Sequence, residues 1–245
     1  MPVFKDDMME QPIAGTNYGF SATRLENLGA TEYTLGTIVV DVSGSTIPFR
    51  DNMEKALKAA VESCKSNPRA DNMMLRVIMF DGKVEEFHGF KQLRDCSEAD
   101  YDGCLGRSGG VTALYDATYN AIQSVNQYAE TLVKQDYDVN AIVFVITDGM
   151  DYGSTGTRKM VGEAFKDSVT SESLESMNSV LIGVNAQDVG TYLTDFKDES
   201  GFTQYVGLDD ANPNTLAKLG DFISKSLSST SQALGTGGPS QSLAF

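Results

Sequence analysis

The chain has 245 residues, 41% of them hydrophobic, and sets 34 acidic against 19 basic side chains for a formal charge of −15. That length and apolar content suffice for one large core, while the charge repels phosphate backbones and anionic lipid and so excludes general nucleic-acid or membrane-surface binding. No basic stretch followed by an apolar segment opens the sequence, and no apolar run approaches the ~20 residues of a bilayer span, so the expectation is a cytoplasmic protein.

Cys64, Cys96 and Cys104 are odd in number and lack a paired-cysteine motif. They suit a reducing compartment better than a disulfide scaffold, and a Cys96–Cys104 bridge is not favoured.

Residues 1–33 mix Met, Asp, Gly and Asn without sustained periodicity and read as an arm or loosely packed extension. The main domain spans 34–229. Within it "TLGTIVVDVS" (34–43), "MMLRVIMFDG" (73–82), "NAIVFVITDG" (140–149) and "MNSVLIGVN" (177–185) are short apolar runs closing on Asp, Asn, Ser or Gly, the pattern of parallel strands buried on both faces. "KVEEFHGFKQL" (83–93) alternates after an Asp-Gly turn and reads as an antiparallel edge strand beside the second of these. Residues 49–66, 113–135, 157–176 and 212–229 place apolar side chains at three- and four-residue spacings, as helices do, and "QYVGLDD" (204–210) reads as a last strand. Residues 230–245, rich in Ser, Gly and Thr, read as a flexible tail. Strands alternating with helices predict an α/β fold with a doubly wound, mostly parallel sheet and ligand sites beyond the carboxyl ends of its strands.

That rule draws three motifs to one rim. Asp41, Ser43 and Ser45 close the first long strand, and Asp148 closes the strand at 140–149. Thr112 follows the glycine pair of "SGGVTALYDA" (108–117) at the start of a helix. Two carboxylates and three hydroxyls are hard oxygen donors that suit Mg²⁺, or Mn²⁺, and the set offers no His or Cys for zinc. Taken singly, each residue also has an ordinary structural reading. Ser45 or Thr46 could cap the following helix, Gly109 and Gly110 could be a plain loop, and Asp148-Gly149 a plain turn. Asp116 reads as a brace for the site or a structural helix carboxylate, Asp151 as a solvated acid, and His88, the single histidine, as structural or exposed.

Together, D-x-S-x-S at 41–45, Thr112 in "GGVTALYD" and Asp148 in "TDG" resemble the complete metal-ion-dependent adhesion site of von Willebrand factor type A domains, of the intracellular bacterial or phage type. The resemblance covers about residues 34–229. It implies a Rossmann-like fold in which Ser43, Ser45 and Thr112 contact the metal, Asp41 and Asp148 act largely through water, and one coordination position is left for an Asp or Glu of a partner protein. Val111, between the glycine pair and Thr112, departs from the common glycine-threonine spacing. AAA-type ATPases are partners that the resemblance suggests. The implied function is non-enzymatic, metal-dependent protein binding. A structural or virion component, or homo-oligomer, with the same fold is the alternative. A haloacid-dehalogenase phosphatase, with Asp41 as nucleophile and Lys197 as the required lysine, is weaker because "DVSGST" lacks the second aspartate of that motif.

Overall fold

The structure, a computed structural model, describes residues 8–106, 109–238 and 240–245. Ser108, which opens the glycine-loop motif, lies outside them. Two short strands, β1 (Met8–Pro12) and β2 (Gly19–Thr23), precede β3 (Glu32–Asp41), α1 (Arg50–Lys65), β4 (Met73–Phe80) and β5 (Val84–Gln92). Then come α2 (Leu114–Val133), β6 (Asp138–Thr147), α3 (Arg158–Thr170), β7 (Met177–Val184), α4 (Gly190–Ser200), β8 (Gln204–Leu208) and α5 (Pro213–Thr236). One eight-stranded sheet runs in the order β1-β2-β5-β4-β3-β6-β7-β8. β4, β3, β6, β7 and β8 are mutually parallel, and β5 runs antiparallel to β4.

Helices cover both faces because the central strands are apolar on both. One core packs Ile38, Val40 and Val77 against α1 and α5, and the other packs Leu35, Val39 and Val143 against α2, α3 and α4. Successive side chains of β3 thus serve opposite layers, as strand pleating requires. On α1 the buried residues Met53, Ala56, Leu57, Ala60, Val61 and Cys64 recur at helical spacing.

Two terminal expectations change. The segment expected as an arm contributes β1 and β2, and β2 joins β5 in parallel at Ala22 and Phe90, so β5 is not the sheet edge. Five-residue strands are too short to show sustained periodicity, yet Ile13, Phe20 and Ala22 are buried. A charged network fastens them. Arg76, 1% exposed in the middle of β4, donates from Nε to Glu86 Oε2 at 2.6 Å and from its terminal nitrogens to Asn120 and Ser124. Glu86 in turn accepts from the Ser21 backbone N–H at 3.0 Å and the Ser21 hydroxyl at 2.6 Å.

The residues expected as a flexible tail are partly ordered. α5 continues to Thr236, with Thr230 and Ser231 fully buried. Beyond it Ser240 meets Ser176 at 2.6 Å, Gln204 Nε2 donates to Leu243 O at 3.0 Å, and Phe245 stacks edge-on against Phe222. Composition misleads here because these polar residues are buried: Arg69 donates to Ser231 Oγ at 3.0 Å and Asn140 to the Thr230 backbone carbonyl at 2.7 Å. All three cysteines are free, so no Cys96–Cys104 bridge forms.

Candidate metal centre

β3 delivers Asp41 to the carboxyl rim, 5% exposed, at the point where the chain turns. One carboxylate oxygen, Oδ1, accepts the Ser43 backbone N–H at 2.8 Å, which closes an Asx-type turn. The other, Oδ2, accepts the Thr147 hydroxyl at 2.6 Å from the last residue of β6, whose pairing with β3 brings Val40 opposite Ile146. Ser43 Oγ lies 3.2 Å from Ser45 Oγ, and Ser45 Oγ donates to Asp148 Oδ1 at 2.8 Å. Asp41, Ser43, Ser45 and Asp148 therefore form one continuous cluster of oxygens.

The helix-cap reading of these hydroxyls does not hold. α1 starts at Arg50 without any side-chain cap, and the Thr46 hydroxyl turns back to Ser43 O at 2.8 Å. Pro48 sits inside a short 3₁₀ segment, Gly44–Phe49, that bridges the motif to α1.

Electrostatically the cluster gathers two carboxylates, Asp41 and Asp148. Burial pushes the Asp41 carboxyl up to about 6, the hydrogen bonds from Thr147 and Ser43 pull it back, and the charge on Asp148 raises it further. Burial also raises Asp148, against the hydrogen bond from Ser45. Among the described residues, no basic side chain stands among the causes of either shift. Buried carboxylates are ordinarily paired with a cation.

Thr112 stands on the adjoining loop, 6% exposed, and its hydroxyl makes no hydrogen bond to the cluster. Its backbone position is set by three neighbours. Gly109 N–H donates to Val42 O at 3.3 Å, Ala113 N–H to Asp81 O at 2.7 Å, and Tyr152 and Gly153 N–H to Thr112 O at 2.9 and 3.1 Å. Gly109 and Gly110 adopt φ of +142° and +89°, which only glycine takes without strain, so the glycine pair supplies the turn that lays this loop beside Val42. α2 begins two residues after Thr112, at Leu114.

Surrounding residues brace these loops. Asp151, expected to be solvated, instead accepts the Tyr115 N–H at 3.2 Å and the Ser154 hydroxyl at 2.5 Å, tying the loop after Asp148 to the start of α2. Asp116 accepts the backbone N–H of Thr155 at 3.0 Å and of Gly156 at 2.8 Å. Its role is to hold that same loop. Sequence reasoning missed Thr147, although a lone hydroxyl at the end of the apolar run "IVFVIT" was the available signal.

Away from the rim, His88 is partly buried between Gly89 O at 2.9 Å and Tyr101 Oη at 2.7 Å, a structural setting. Lys197 stands in the last turn of α4, where the chain has returned from the carboxyl rim toward the start of β8, and it pairs with Asp198 at 2.7 Å. It does not serve the Asp41 cluster. Among the described residues no three His, Cys, Asp or Glu side chains converge as a metal site, and no helix is long and apolar enough to cross a membrane. The oxygen cluster has only two carboxylates, and its remaining donors are hydroxyls.

No family model matches the chain, and no curated protein does either. Solved structures do. The PilB minor pilin of Streptococcus sanguinis superposes with a TM-score of 0.59 at 16% identity, covering 89% of this chain and 66% of the pilin. The von Willebrand domain of the type V pilus tip protein Mfa5 of Porphyromonas gingivalis gives 0.53 at 10% identity, covering 89% of this chain and 99% of that domain. Proximal thread matrix protein 1 of the mussel byssus, with a zinc-occupied adhesion-site motif, gives 0.50 at 17% identity over 80% of this chain and 46% of its own. The chain thus spans less than two thirds of the pilin and under half of the byssus protein. At these identities the likeness concerns the backbone: the chain has the Rossmann-like α/β fold of von Willebrand factor type A domains.

Proposed function

We propose that the carboxyl rim of the sheet binds a divalent cation, Mg²⁺ with Mn²⁺ as substitute, through Asp41, Ser43, Ser45, Thr112 and Asp148, and thereby recognises an Asp or Glu of a partner protein without catalysing a reaction. The observation that supports it most is the Asp41 carboxylate, buried, without a basic partner among the described residues, bonded to the Ser43 amide and followed by the Ser43 and Ser45 hydroxyls that lead to Asp148. The donor chemistry fits the ion: carboxylate and hydroxyl oxygens suit a hard cation, and the cluster has no thiolate or imidazole. When bound, the cation would supply positive charge to which a partner's carboxylate can attach. Asp41 would stay aimed by Thr147 and the Ser43 amide, Ser43 and Ser45 would offer their hydroxyls, and the loop held by Asp151 and Asp116 would keep Asp148 in place.

The free thiols support a cytoplasmic location, and an AAA-type ATPase is one partner class within the proposal. A second reading, an assembly component, is favoured by the pilin and pilus-tip neighbours. The phosphatase reading loses support because Lys197 lies far along α4.

The test is thermal unfolding of the wild type, Asp41→Ala and Thr112→Ala in Mg²⁺, in Ca²⁺ and in EDTA. A cation that binds only the folded state raises the wild-type melting temperature by mass action, and Asp41→Ala removes that increment. Ca²⁺ should substitute poorly, since it prefers more ligands at longer distances. Equal metal-induced shifts in wild type and Asp41→Ala would overturn the assignment. Assembly that ignores EDTA would favour the second reading, and beryllium fluoride binding would favour the phosphatase.

A further inference from the structure

Seven large apolar side chains are exposed among the described residues, and three of them stand on the three loops that carry the oxygen cluster and Thr112. Ile47, 55% exposed, lies two residues after Ser45; Val111, 51% exposed, directly precedes Thr112; Tyr152, 68% exposed, lies four residues after Asp148. A single exposed apolar residue is ordinary, but one on each of the three loops that bear the same polar centre is not a scattered set.

Two of the three stand on backbone that is tied to the Thr112 loop. Tyr152 is anchored through its backbone N–H to Thr112 O at 2.9 Å. Val111 Cγ2 lies so close to Gly153 that a Cβ there would come within 2.7 Å of it, so the Asp148 loop passes against the valine only because residue 153 is glycine.

The stretches that hold the cluster and Thr112, "DVSGSTIPF" (41–49), "GGVTA" (109–113) and "DGMDYGSTGT" (148–157), contain neither Lys nor Arg, the nearest in sequence being Arg50, Arg107 and Arg158 at their borders. A partner's carboxylate would find no side-chain cation on them, and its neighbours would meet valine, isoleucine and tyrosine. We propose that Ile47, Val111 and Tyr152 form an apolar collar that reads the residues beside the partner's carboxylate and selects an acidic residue flanked by bulky apolar side chains. This inference rests on the metal reading above, and its test separates the two.

Two blocked synthetic peptides serve as probes, one with a central Glu between Leu and Phe and one with the same Glu between glycines. Binding to the full chain is measured by calorimetry in Mg²⁺ for the wild type, for Tyr152→Ser, and for the triple variant Ile47→Ser/Val111→Ser/Tyr152→Ser. Mg²⁺ binding without peptide is measured in parallel. The wild type should hold the apolar-flanked peptide about tenfold more tightly than the glycine-flanked one. Tyr152→Ser should lose part of that preference and the triple variant all of it, with Mg²⁺ affinity retained in both.

Equal affinity of the wild type for the two peptides would overturn the collar alone, and binding of neither with Mg²⁺ bound would overturn the collar together with the carboxylate recognition proposed above. A preference that survives in Tyr152→Ser and the triple variant would overturn the collar alone. Failure of the wild type to bind Mg²⁺ would overturn the metal reading itself. Self-association of the chain that Tyr152→Ser abolishes would show that a second copy covers the collar, and the peptide inference would fall.

Discussion

The Thr147 hydroxyl donates to Asp41 Oδ2 at 2.6 Å, across the pairing of β6 with β3 and one residue before Asp148. Residues 106 positions apart thus share one hydrogen bond at the rim, and through it the last residue of β6 orients the carboxylate carried by β3. Thr147→Val keeps the shape and deletes the donor, leaving a buried carboxylate oxygen unsatisfied. The expected cost is about 1–2 kcal/mol of stability, read from urea unfolding, with weaker Mg²⁺ binding. Thr147→Ser should preserve both properties. Wild-type behaviour of the valine variant in both measurements would show that this bond positions nothing.

Arg76 predicts how the N-terminal hairpin is attached. Arg76→Ala leaves Glu86 partly buried without its guanidinium, at an expected cost of about 3 kcal/mol. Removing both charges, as Arg76→Met with Glu86→Gln, should recover most of that loss because no charge is then stranded. Amide exchange at Ser21, whose N–H bonds Glu86, should quicken in the single variant. Unaltered exchange there would mean that the hairpin is held by its apolar contacts alone.

His88 predicts a pH dependence. In the folded chain its Nδ1–H donates to Gly89 O, and its Nε2 lies 2.7 Å from the Tyr101 hydroxyl, from which the neutral ring can accept. Burial lowers its pKa from 6.5 to about 4; the Gly89 bond and Asp100 oppose this, and Lys91 and Arg76 add to it. The unfolded chain therefore takes up a proton at a pH where the folded chain refuses it. The contribution to stability is complete above about 6.5 and falls as pH drops from there toward about 4. His88→Gln should flatten this part of the stability curve, measured by denaturant midpoints between pH 7.5 and 4.5. A slope identical to wild type would contradict the assignment.

The segment after α5 predicts a separation of stability from the rim. Ser240, Leu243 and Phe245 touch Ser176, Gln204 and Phe222, and the first two of these partners lie at the starts of β7 and β8, on the rim opposite Asp41. Deleting residues 240–245 should cost about 1 kcal/mol through lost apolar burial and leave Mg²⁺ affinity unchanged. A large loss of Mg²⁺ binding in the truncated chain would show coupling between the two rims.

Local pattern determined much of this protein. The apolar runs of β3, β4, β6 and β7 are legible as strands buried on both faces because each is flanked by helices whose spacing is equally plain. Once the order of elements is known, the carboxyl ends carrying Asp41 and Asp148 must share a rim. D-x-S-x-S is likewise legible, since its residues are close in sequence and one turn gathers them.

What only the tertiary structure decided depends on contacts between distant residues. The hairpin of β1 and β2 is invisible to periodicity because its strands are five residues long, and its place beside β5 is set by Glu86 and Arg76. The Ser- and Thr-rich end of α5 reads as a solvated tail until Asn140 and Arg69 supply partners for it. Asp151 reads as a solvated acid, and Asp116 as either a brace or a structural helix carboxylate, until the loop after Asp148 folds over the start of α2 and brings each to the N–H groups it accepts. In each case a polar group's role is fixed by whichever donor or acceptor the fold brings within about 3 Å, and a sequence pattern does not contain that distance.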